Sequence, residues 1–146
     1  MNIIILDIDG VLATEQDSYK PNHDLYAYPF DAQCVQIFNE ILAITNAQIV
    51  LSSDWRLMYN NDLDMLDELF KFNGVMRSPI DVTPNLGRNR EGEIKFYIEN
   101  NSTKFKKFVI LDDTPIKNYP NNFVQCNINK GLKEAGIKER IISILI

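Results

Sequence analysis

Three short apolar runs constrain the fold of this chain most strongly, and each ends at a polar cluster. The runs are IIIL at 3–6, AQIVL at 47–51 and FVIL at 108–111. They lack the alternation of apolar and polar residues that marks a strand with one solvated face, which favours strands covered on both faces. Such strands are typical of parallel sheets, whose crossover connections place helices on both sides. The chain is therefore predicted to fold around a parallel sheet.

Helical patterns occupy the segments between these runs. Asp31 is predicted to cap a helix that ends near Thr45, because apolar residues recur there at the spacing of one helix face. Further helices are predicted after Asp54, from 63 to about 73, around 94–98 and over 132–145, with short strands within 75–82 and at 123–126. Strands and helices alternate without a repeat or a linker. This pattern predicts one domain over residues 1–146, an α/β fold with a three-layer, Rossmann-like, doubly wound parallel sheet.

Composition narrows the class of protein. The net charge of −5 and the pI near 4.8 give no general attraction to nucleic acid, although a local basic patch stays compatible with them. No segment approaches the ~20 apolar residues of a membrane span, and no basic leader precedes the first apolar run. Cys34 and Cys126 show no CxxC spacing. We therefore expect a cytoplasmic protein with reduced thiols, no signal peptide and no membrane partner. The composition leaves the oligomeric state open.

Polar side chains follow each apolar run at the point where the predicted strand ends. They are Asp7 and Asp9, Ser52 and Ser53, and Asp112 and Asp113. The carboxyl ends of parallel strands meet at one edge of a sheet, and ligands bind at that edge. Each cluster alone is also typical of a turn or a helix cap. Their joint placement after buried strands favours a functional site.

The residue types at this edge favour a magnesium site that binds phosphate. Several carboxylates in one place repel each other unless a cation lies among them. Oxygen ligands of this kind suit Mg²⁺, whereas the single histidine, His23, gives no basis for a zinc cluster and is interpreted as a surface loop residue. Mg²⁺ in turn fits a phosphate substrate, because it screens the acids from the incoming anion.

The first cluster separates two catalytic roles. Asp7 is predicted to attack phosphorus and form an aspartyl-phosphate. Asp9 is predicted to protonate the leaving alcohol and then to take a proton from the hydrolytic water. Gly10 allows the backbone to turn close to the ligand. Ser52 offers a hydroxyl to the phosphate, and N–H groups near the helix start at Asp54 offer further donors.

Basic residues near these clusters are candidates for balancing the negative charge. Arg90 is preferred, with Arg88 and Lys95 as alternatives, and Ser53, Arg56 and Arg88 are candidate substrate contacts. Each of the arginines also fits a solvated surface charge. Trp55 is interpreted as a packing residue, with a platform for substrate as the alternative.

The segment 14–29 is polar and aromatic, and Pro21 and Pro29 interrupt it. It is predicted to form a loop or a short hairpin flap, and we expect it to influence specificity. Its tyrosines line a substrate entrance in one interpretation and pack within the loop in the other; they are Tyr19, Tyr26 and Tyr28.

These motifs together resemble the haloacid dehalogenase (HAD) superfamily of phosphohydrolases. IIILDIDGVL resembles its first motif, DxDG[TV]. IVLSSDWR resembles its second motif, a Ser or Thr after a hydrophobic strand, and FVILDD resembles its fourth, an acidic pair after a strand. The third motif is a Lys or Arg ahead of the following helix, and Arg90 suits it by spacing. The matched motifs span about residues 1–120.

The resemblance implies a role for each motif residue. Asp7 would be the nucleophile and Asp9 the general acid/base. Mg²⁺ would be held by Asp7, the backbone carbonyl of Asp9, and Asp113, with Asp112 as an auxiliary ligand. The dehalogenase branch lacks the second acid of the first motif, so Asp9 favours the hydrolysis of phosphate esters.

The spacing between motifs suggests a small member without a large cap domain. The gaps of about 14 to 46 and 53 to 89 are mostly accounted for by core helices and the flap. In the family an open site suggests large substrates or an oligomer that closes it. VILDDTPIKNY resembles the phosphoprotein phosphatase branch, whereas SSDWR and GRNREGEI are more similar to HAD domains of nucleic-acid repair phosphatases. We expect a polynucleotide or nucleotide phosphate as substrate; the alternatives are a phosphoprotein, a non-catalytic module that binds Mg²⁺ and phosphate, and phosphoryl transfer to an acceptor.

Overall fold

The computed structural model describes residues 1–14 and 30–146, and its centre is a five-stranded parallel sheet. The strands are β1 (Asn2–Leu6), β2 (Gln48–Leu51), β3 (Pro79–Val82), β4 (Lys107–Asp112) and β5 (Phe123–Gln125). Their order across the sheet is β3-β2-β1-β4-β5, and every neighbouring pair is parallel. The predicted α/β class and the parallel sheet are therefore confirmed.

Five α-helices connect and cover the strands in the described residues. They are α1 (Ala32–Thr45), α2 (Trp55–Met58), α3 (Leu63–Phe72), α4 (Arg90–Asn101) and α5 (Ile137–Leu145), with short 3₁₀ turns at Ser102–Lys104 and Pro120–Asn122. The predicted cap of α1 is confirmed, since the Asp31 carboxylate accepts hydrogen bonds from the N–H groups of Gln33 and Cys34. These bonds satisfy donors that the first turn of a helix leaves unpaired.

Two apolar cores, one on each face of the sheet, explain why the strand residues are apolar throughout. Ile4 and Leu6 of β1 belong to the larger core, which they share with residues of α1, α3 and α5. Ile3 and Ile5 belong to the smaller core, which they share with Ile94 and other residues of α4. Successive side chains of a strand alternate between the faces, so both sets are buried. The three-layer arrangement follows from these two cores.

The predicted final helix is shorter than the sequence pattern suggested. It begins at Ile137 rather than near residue 132. Gly131 (φ +55°) and Gly136 (φ +89°) lie in the left-handed region, which interrupts a right-handed helix. The residues between them form turns instead. The predicted flap 14–29 lies outside the described residues except for Thr14, as do His23 and the three tyrosines of that segment.

The segment between the second and third motifs adds to the sheet rather than forming a cap. It contains α2, α3 and β3; α2 and α3 contribute to the larger core, and β3 pairs with β2. The described residues, 1–14 and 30–146, contain no large inserted domain. No helix in these same ranges is both long and apolar enough to span a membrane.

The strand order places a topological switch beside β1. The chain moves outward from β1 to β2 and β3, then returns to the other side of β1 as β4. Helices α1 and α4 pack on opposite faces of the sheet, as their separate cores indicate. In open α/β sheets the ligand crevice lies at such a switch, here at the carboxyl ends of β1 and β4.

Candidate active site

The sheet register aligns the predicted polar clusters in one row. Leu6 at the end of β1 pairs with Leu51 of β2 on one side and with Leu111 of β4 on the other. The residues that follow these three are Asp7, Ser52 and Asp112. The ladder continues through this row, since Asp7 N donates to Leu111 O at 3.0 Å and Ser52 N donates to Leu6 O at 2.9 Å. The predicted convergence of the clusters is confirmed.

Three carboxylates meet at the crevice. One oxygen each of Asp7, Asp112 and Asp113 lies within 4.8 Å of the others. Burial raises the pKa of Asp7 well above its usual range; the negative charge of Asp112 adds to this effect and the guanidinium of Arg90 opposes it. The pKa of Asp113 is also raised, chiefly by burial. Ionising buried acids with raised pKa values costs free energy. A bound cation would remove that cost.

The contacts of Asp112 separate its role from those of the other two acids. Its Oδ2 accepts a hydrogen bond from Arg90 Nη1 at 2.8 Å, and its Oδ1 accepts from the N–H and the hydroxyl of Thr114 at 3.0 and 2.8 Å. Both oxygens therefore have protein partners. Asp7 and Asp113 are better suited to hold a cation, while Asp112 orients the arginine.

Gly10 allows the loop after β1 to pack against the acid cluster. Its φ is +77°, and a Cβ at this position would lie 2.5 Å from Cβ of Asp113. The loop is tightened by hydrogen bonds from Gly10 N to Ala13 O at 2.7 Å and from Leu12 N to Ile8 O at 2.9 Å. A side chain at Gly10 would displace Asp113, so this glycine preserves the space between the first and fourth motifs.

Among the described residues, Arg90 is the basic residue that the fold brings to Asp7. Its Nη1 lies 3.4 Å from Asp7 Oδ1, and its Nη2 lies 3.6 Å from Asp54 Oδ1. Burial acts to lower the pKa of Arg90, but the surrounding carboxylates outweigh it and raise that pKa. Of the two alternatives, Arg88 is exposed and Lys95 pairs with Glu99 at 3.9 Å. The position of Arg90 fits the charge-balancing role predicted for it.

The hydroxyl of Ser52 is available for a ligand. Its Oγ is buried and makes no hydrogen bond within the described residues, and the same holds for Thr83 Oγ1. Thr83 directly follows the last residue of β3, and its N–H donates to Leu51 O at 3.0 Å. A buried hydroxyl without a partner costs about 1–3 kcal/mol. A phosphate oxygen beside Asp7 would satisfy Ser52, which fits its predicted role.

Ser53 serves the local fold. Its side chain is buried, and its Oγ accepts a hydrogen bond from Trp55 N at 3.2 Å. It therefore caps α2 in place of Asp54, whose carboxylate makes no capping hydrogen bond. The hydroxyl of Ser53 thus has a local structural role, and its predicted contact with substrate stays a prediction.

Arg56 is a buried structural residue. Its side chain is 0% exposed, and four hydrogen bonds of 3.0 Å lead to backbone carbonyls, those of Ser52, Ser53, Thr83 and Pro84. Its Nη2 also lies 3.2 Å from Oε1 of Glu93. A guanidinium has five N–H donors; four of them bond to these carbonyls, and Nη2 also faces the carboxylate of Glu93. The predicted role of Arg56 in substrate binding therefore does not fit, because its donors face the protein.

Two residues have contacts that sequence reasoning missed. Trp55 Nε1 donates to Asp9 Oδ1 at 3.1 Å, so this tryptophan contacts the predicted acid/base directly. Glu93 is 1% exposed; it pairs with Arg56 and accepts from Leu86 N at 2.8 Å. One available signal was the position of Glu93 beside Ile94, on the apolar side of a predicted helix.

Comparison with known protein families identifies a family that matches most of the chain. The model of the HAD domain in Swiss Army Knife RNA repair proteins matches residues 3–137. No curated protein and no solved structure gives a significant match. The family match covers most of the chain, including every motif described above, and agrees with the parallel sheet. The chain therefore belongs to the HAD superfamily, within the family of HAD domains found in Swiss Army Knife RNA repair proteins.

Proposed function

We propose that this HAD domain is a Mg²⁺-dependent phosphatase that hydrolyses phosphate monoesters through an aspartyl-phosphate on Asp7. One observation carries the proposal. The buried carboxylate of Asp7 lies 3.4 Å from the guanidinium of Arg90 and within 4.8 Å of the acids that end β4, at the topological switch of the sheet. A nucleophile, a counter-charge and a pair of acids thus share one crevice.

Asp7 attacks first in this mechanism. One of its carboxylate oxygens forms a bond to phosphorus as the bond between phosphorus and the leaving oxygen breaks, and Asp9 gives a proton to that oxygen. Asp9 then takes a proton from water, which attacks the phosphorus of the intermediate. The products are an alcohol, inorganic phosphate and regenerated Asp7. Burial raises the pKa of Asp7, and a bound cation would favour the ionised carboxylate that attacks.

The transferred phosphoryl group is held by fixed donors. The unpartnered hydroxyl of Ser52 donates to one of its oxygens. Arg90 offsets negative charge beside Asp7, where preorganised positive groups stabilise the transition state most effectively. Arg90 is itself oriented by Asp112 at 2.8 Å. These groups are in place before substrate arrives, so little reorganisation accompanies the reaction.

Mg²⁺ fits the residues present. The carboxylates of Asp7 and Asp113, with the backbone carbonyl of Asp9, would hold it, and it would supply charge neutralisation for the phosphate. We expect Mg²⁺ to raise the melting temperature of the wild-type protein by binding the folded state alone. Asp113→Asn should reduce this shift strongly, whereas Asp64→Asn on the exposed side of α3 should preserve it.

The proposed substrate is a phosphorylated RNA end or a nucleotide phosphate. The family model derives from RNA repair proteins, and the described residues carry no large cap that would restrict the site to small metabolites. The net charge of −5 gives no global attraction to RNA, so recognition would be local. Free Cys34 and Cys126 are in keeping with a cytoplasmic location.

A substrate panel tests the proposal. Phosphate release should be measured with p-nitrophenyl phosphate, end-phosphorylated RNA and DNA, nucleoside monophosphates and phosphopeptides. We expect Mg²⁺-dependent turnover, highest on nucleic-acid ends, and loss of it in Asp7→Asn. Full activity in Asp7→Asn would exclude the mechanism. Faster hydrolysis of phosphopeptides would instead favour the phosphoprotein alternative, and tight phosphate binding without turnover on any substrate would favour a binding module.

A further inference from the structure

The side chain of Trp55 contacts the proposed acid/base, which packing of its ring does not require. Its indole Nε1 lies 3.1 Å from Oδ1 of Asp9. Trp55 is 6% exposed, and Asp9 is partly exposed. The indole N–H can donate a hydrogen bond but cannot accept one. Trp55 therefore restrains the carboxyl of Asp9 without being able to take the proton that Asp9 transfers.

The surrounding core fixes the direction of this N–H group. The backbone N–H of Trp55 donates to Ser53 Oγ at 3.2 Å, which anchors the residue at the start of α2. Its ring packs edge-on against Phe30 at 5.8 Å between centroids, and Phe30 packs in the same manner against Phe70 of α3 at 5.6 Å. Phe30 thus packs directly against the indole, Phe70 supports Phe30, and Ser53 fixes the backbone of Trp55. Its donor points at Asp9 because of the fold.

A restraint of this kind matters for a group that transfers a proton. Asp9 lies in the loop after β1, beyond the regular strand ladder, so the strand does not orient its carboxyl. The efficiency of proton transfer depends on geometry within hydrogen-bond reach. A displacement of about 1 Å can reduce the rate by ~100-fold.

We propose that Trp55 is a positioning residue for Asp9: its indole N–H holds the carboxyl in the orientation that protonates the leaving oxygen. The inference rests on the proposed phosphatase function. It assigns Trp55 a role in orienting the acid/base, which adds to the packing predicted from the sequence and stands in place of a platform for substrate. A residue that only packs would affect every substrate alike.

The test uses leaving groups of different acidity with the variant Trp55→Phe. This change keeps an aromatic ring in the core and removes the N–H donor. p-Nitrophenolate departs without needing a proton, whereas the alkoxide of an alkyl or ribose phosphate needs one. We expect kcat/KM of Trp55→Phe to fall by about 10–100-fold for an alkyl phosphate and far less for p-nitrophenyl phosphate. kcat/KM is the suitable quantity because it reports steps through the first departure of the leaving group.

Two variants serve as controls for this selectivity. Asp9→Asn should show the same dependence on the leaving group with a larger loss, and adding Trp55→Phe to it should cause no further selective loss. Phe108→Leu, in the aromatic cluster with Phe105 and Tyr119, lowers stability away from the site and should leave the ratio between substrates unchanged. Equal losses on both substrates in Trp55→Phe, or no loss on either, would overturn the positioning role.

A second measurement is independent of turnover. Trp55 is the only tryptophan of the chain, so its indole N–H gives a single signal in a ¹H–¹⁵N correlation spectrum. We expect this signal to move upfield in Asp9→Ala and to stay in place in Asp64→Asn. An Asp9-dependent signal in a protein that hydrolyses no substrate would exclude the proposed function, and with it the positioning role, while upholding the contact. A signal insensitive to Asp9 would overturn the contact itself.

Discussion

Arg56 and Arg90 lie at the same edge of the sheet and share a neighbour, yet their surroundings differ. Both approach Asp54 Oδ1, at 3.7 and 3.6 Å respectively. Arg56 is fully buried, and its hydrogen bonds lead to backbone carbonyls beyond β2 and β3. Arg90 has a side chain that is 22% exposed, and its partners are carboxylates. Arg56 therefore stabilises the fold, whereas Arg90 is exposed enough to interact with a charged ligand.

The difference follows from what each arginine neutralises. Carbonyls past a strand end need donors once they are buried, and Arg56 supplies these donors with Glu93 as its counter-ion. Arg90 is the first residue of α4, where the helix dipole disfavours a cation. Asp7 and Asp112 offset that cost. An arginine in an unfavourable position of this kind indicates a site that needs positive charge.

The largest expected effect is on the stability of the Arg56 region. Arg56→Ala removes one partner of a buried pair, so Glu93 loses its counter-ion and four carbonyls lose the hydrogen bonds that the guanidinium donates. We expect the free energy of unfolding to fall by about 3–5 kcal/mol, measured by urea denaturation. Arg88→Ala, at an exposed position, should change it by less than ~0.5 kcal/mol. If the unfolding free energy of Arg56→Ala fell by as little as that of Arg88→Ala, the structural role of Arg56 would be contradicted.

The next effect concerns catalysis in the Arg90 region. Arg90→Ala removes positive charge beside Asp7, so kcat should fall by about 100–1,000-fold. Its unfolding free energy should change far less than that of Arg56→Ala, because Arg90 is partly exposed. Steady-state kinetics and urea denaturation on the same samples check both expectations. An Arg90→Ala variant that loses much stability but keeps its specific activity would contradict the proposed difference between Arg90 and Arg56.

Lysine substitutions sharpen the contrast between the two regions. Lysine keeps the charge but lacks the planar fork of donors. Arg90→Lys should therefore recover part of the activity lost in Arg90→Ala. Arg56→Lys should recover little stability, since one ammonium cannot replace bonds to carbonyls that converge from two strand ends. Comparable recovery at both positions would mean that charge alone matters at Arg56.

The smallest expected effect is the pH dependence of stability in the metal-free protein. Burial raises the pKa of Asp7 well above 3.8, the ordinary value for an aspartate. Ionised Asp7 therefore disfavours the folded state: its cost is absent below the unfolded pKa, grows as pH rises, and is complete above the folded pKa. Asp7→Asn should accordingly be more stable than wild type at neutral pH, and this gain should vanish near pH 3.8 or below.

Metal addition supplies the control for that prediction. Mg²⁺ should stabilise wild type and reduce the advantage of Asp7→Asn, since only the wild type keeps the full set of ligands. Thermal unfolding across pH, with Mg²⁺ and with a chelator, measures both effects. An Asp7→Asn variant less stable than wild type at pH 7 without metal would contradict the prediction.

Much of the fold was predictable because its signals are local. An unbroken apolar run such as IIIL indicates a strand that is buried on both faces, whatever its position in the sequence. The end of a strand is equally local, so the convergence of Asp7, Ser52 and Asp112 followed from parallel topology alone. The start of α5 was not predictable from apolar spacing, because Gly131 and Gly136 interrupt a pattern that otherwise continues.

The sequence by itself determined the fold class, the family motifs and the residue types gathered at one edge of the sheet. Only the tertiary structure decided which side chain meets which partner. It turned the donors of Arg56 and the hydroxyl of Ser53 toward the protein, brought Arg90 to Asp7, and aimed the indole of Trp55 at Asp9. The physical reason is that apolar burial depends on periodicity along the chain. A hydrogen bond, in contrast, depends on distances of about 3 Å between segments far apart in sequence.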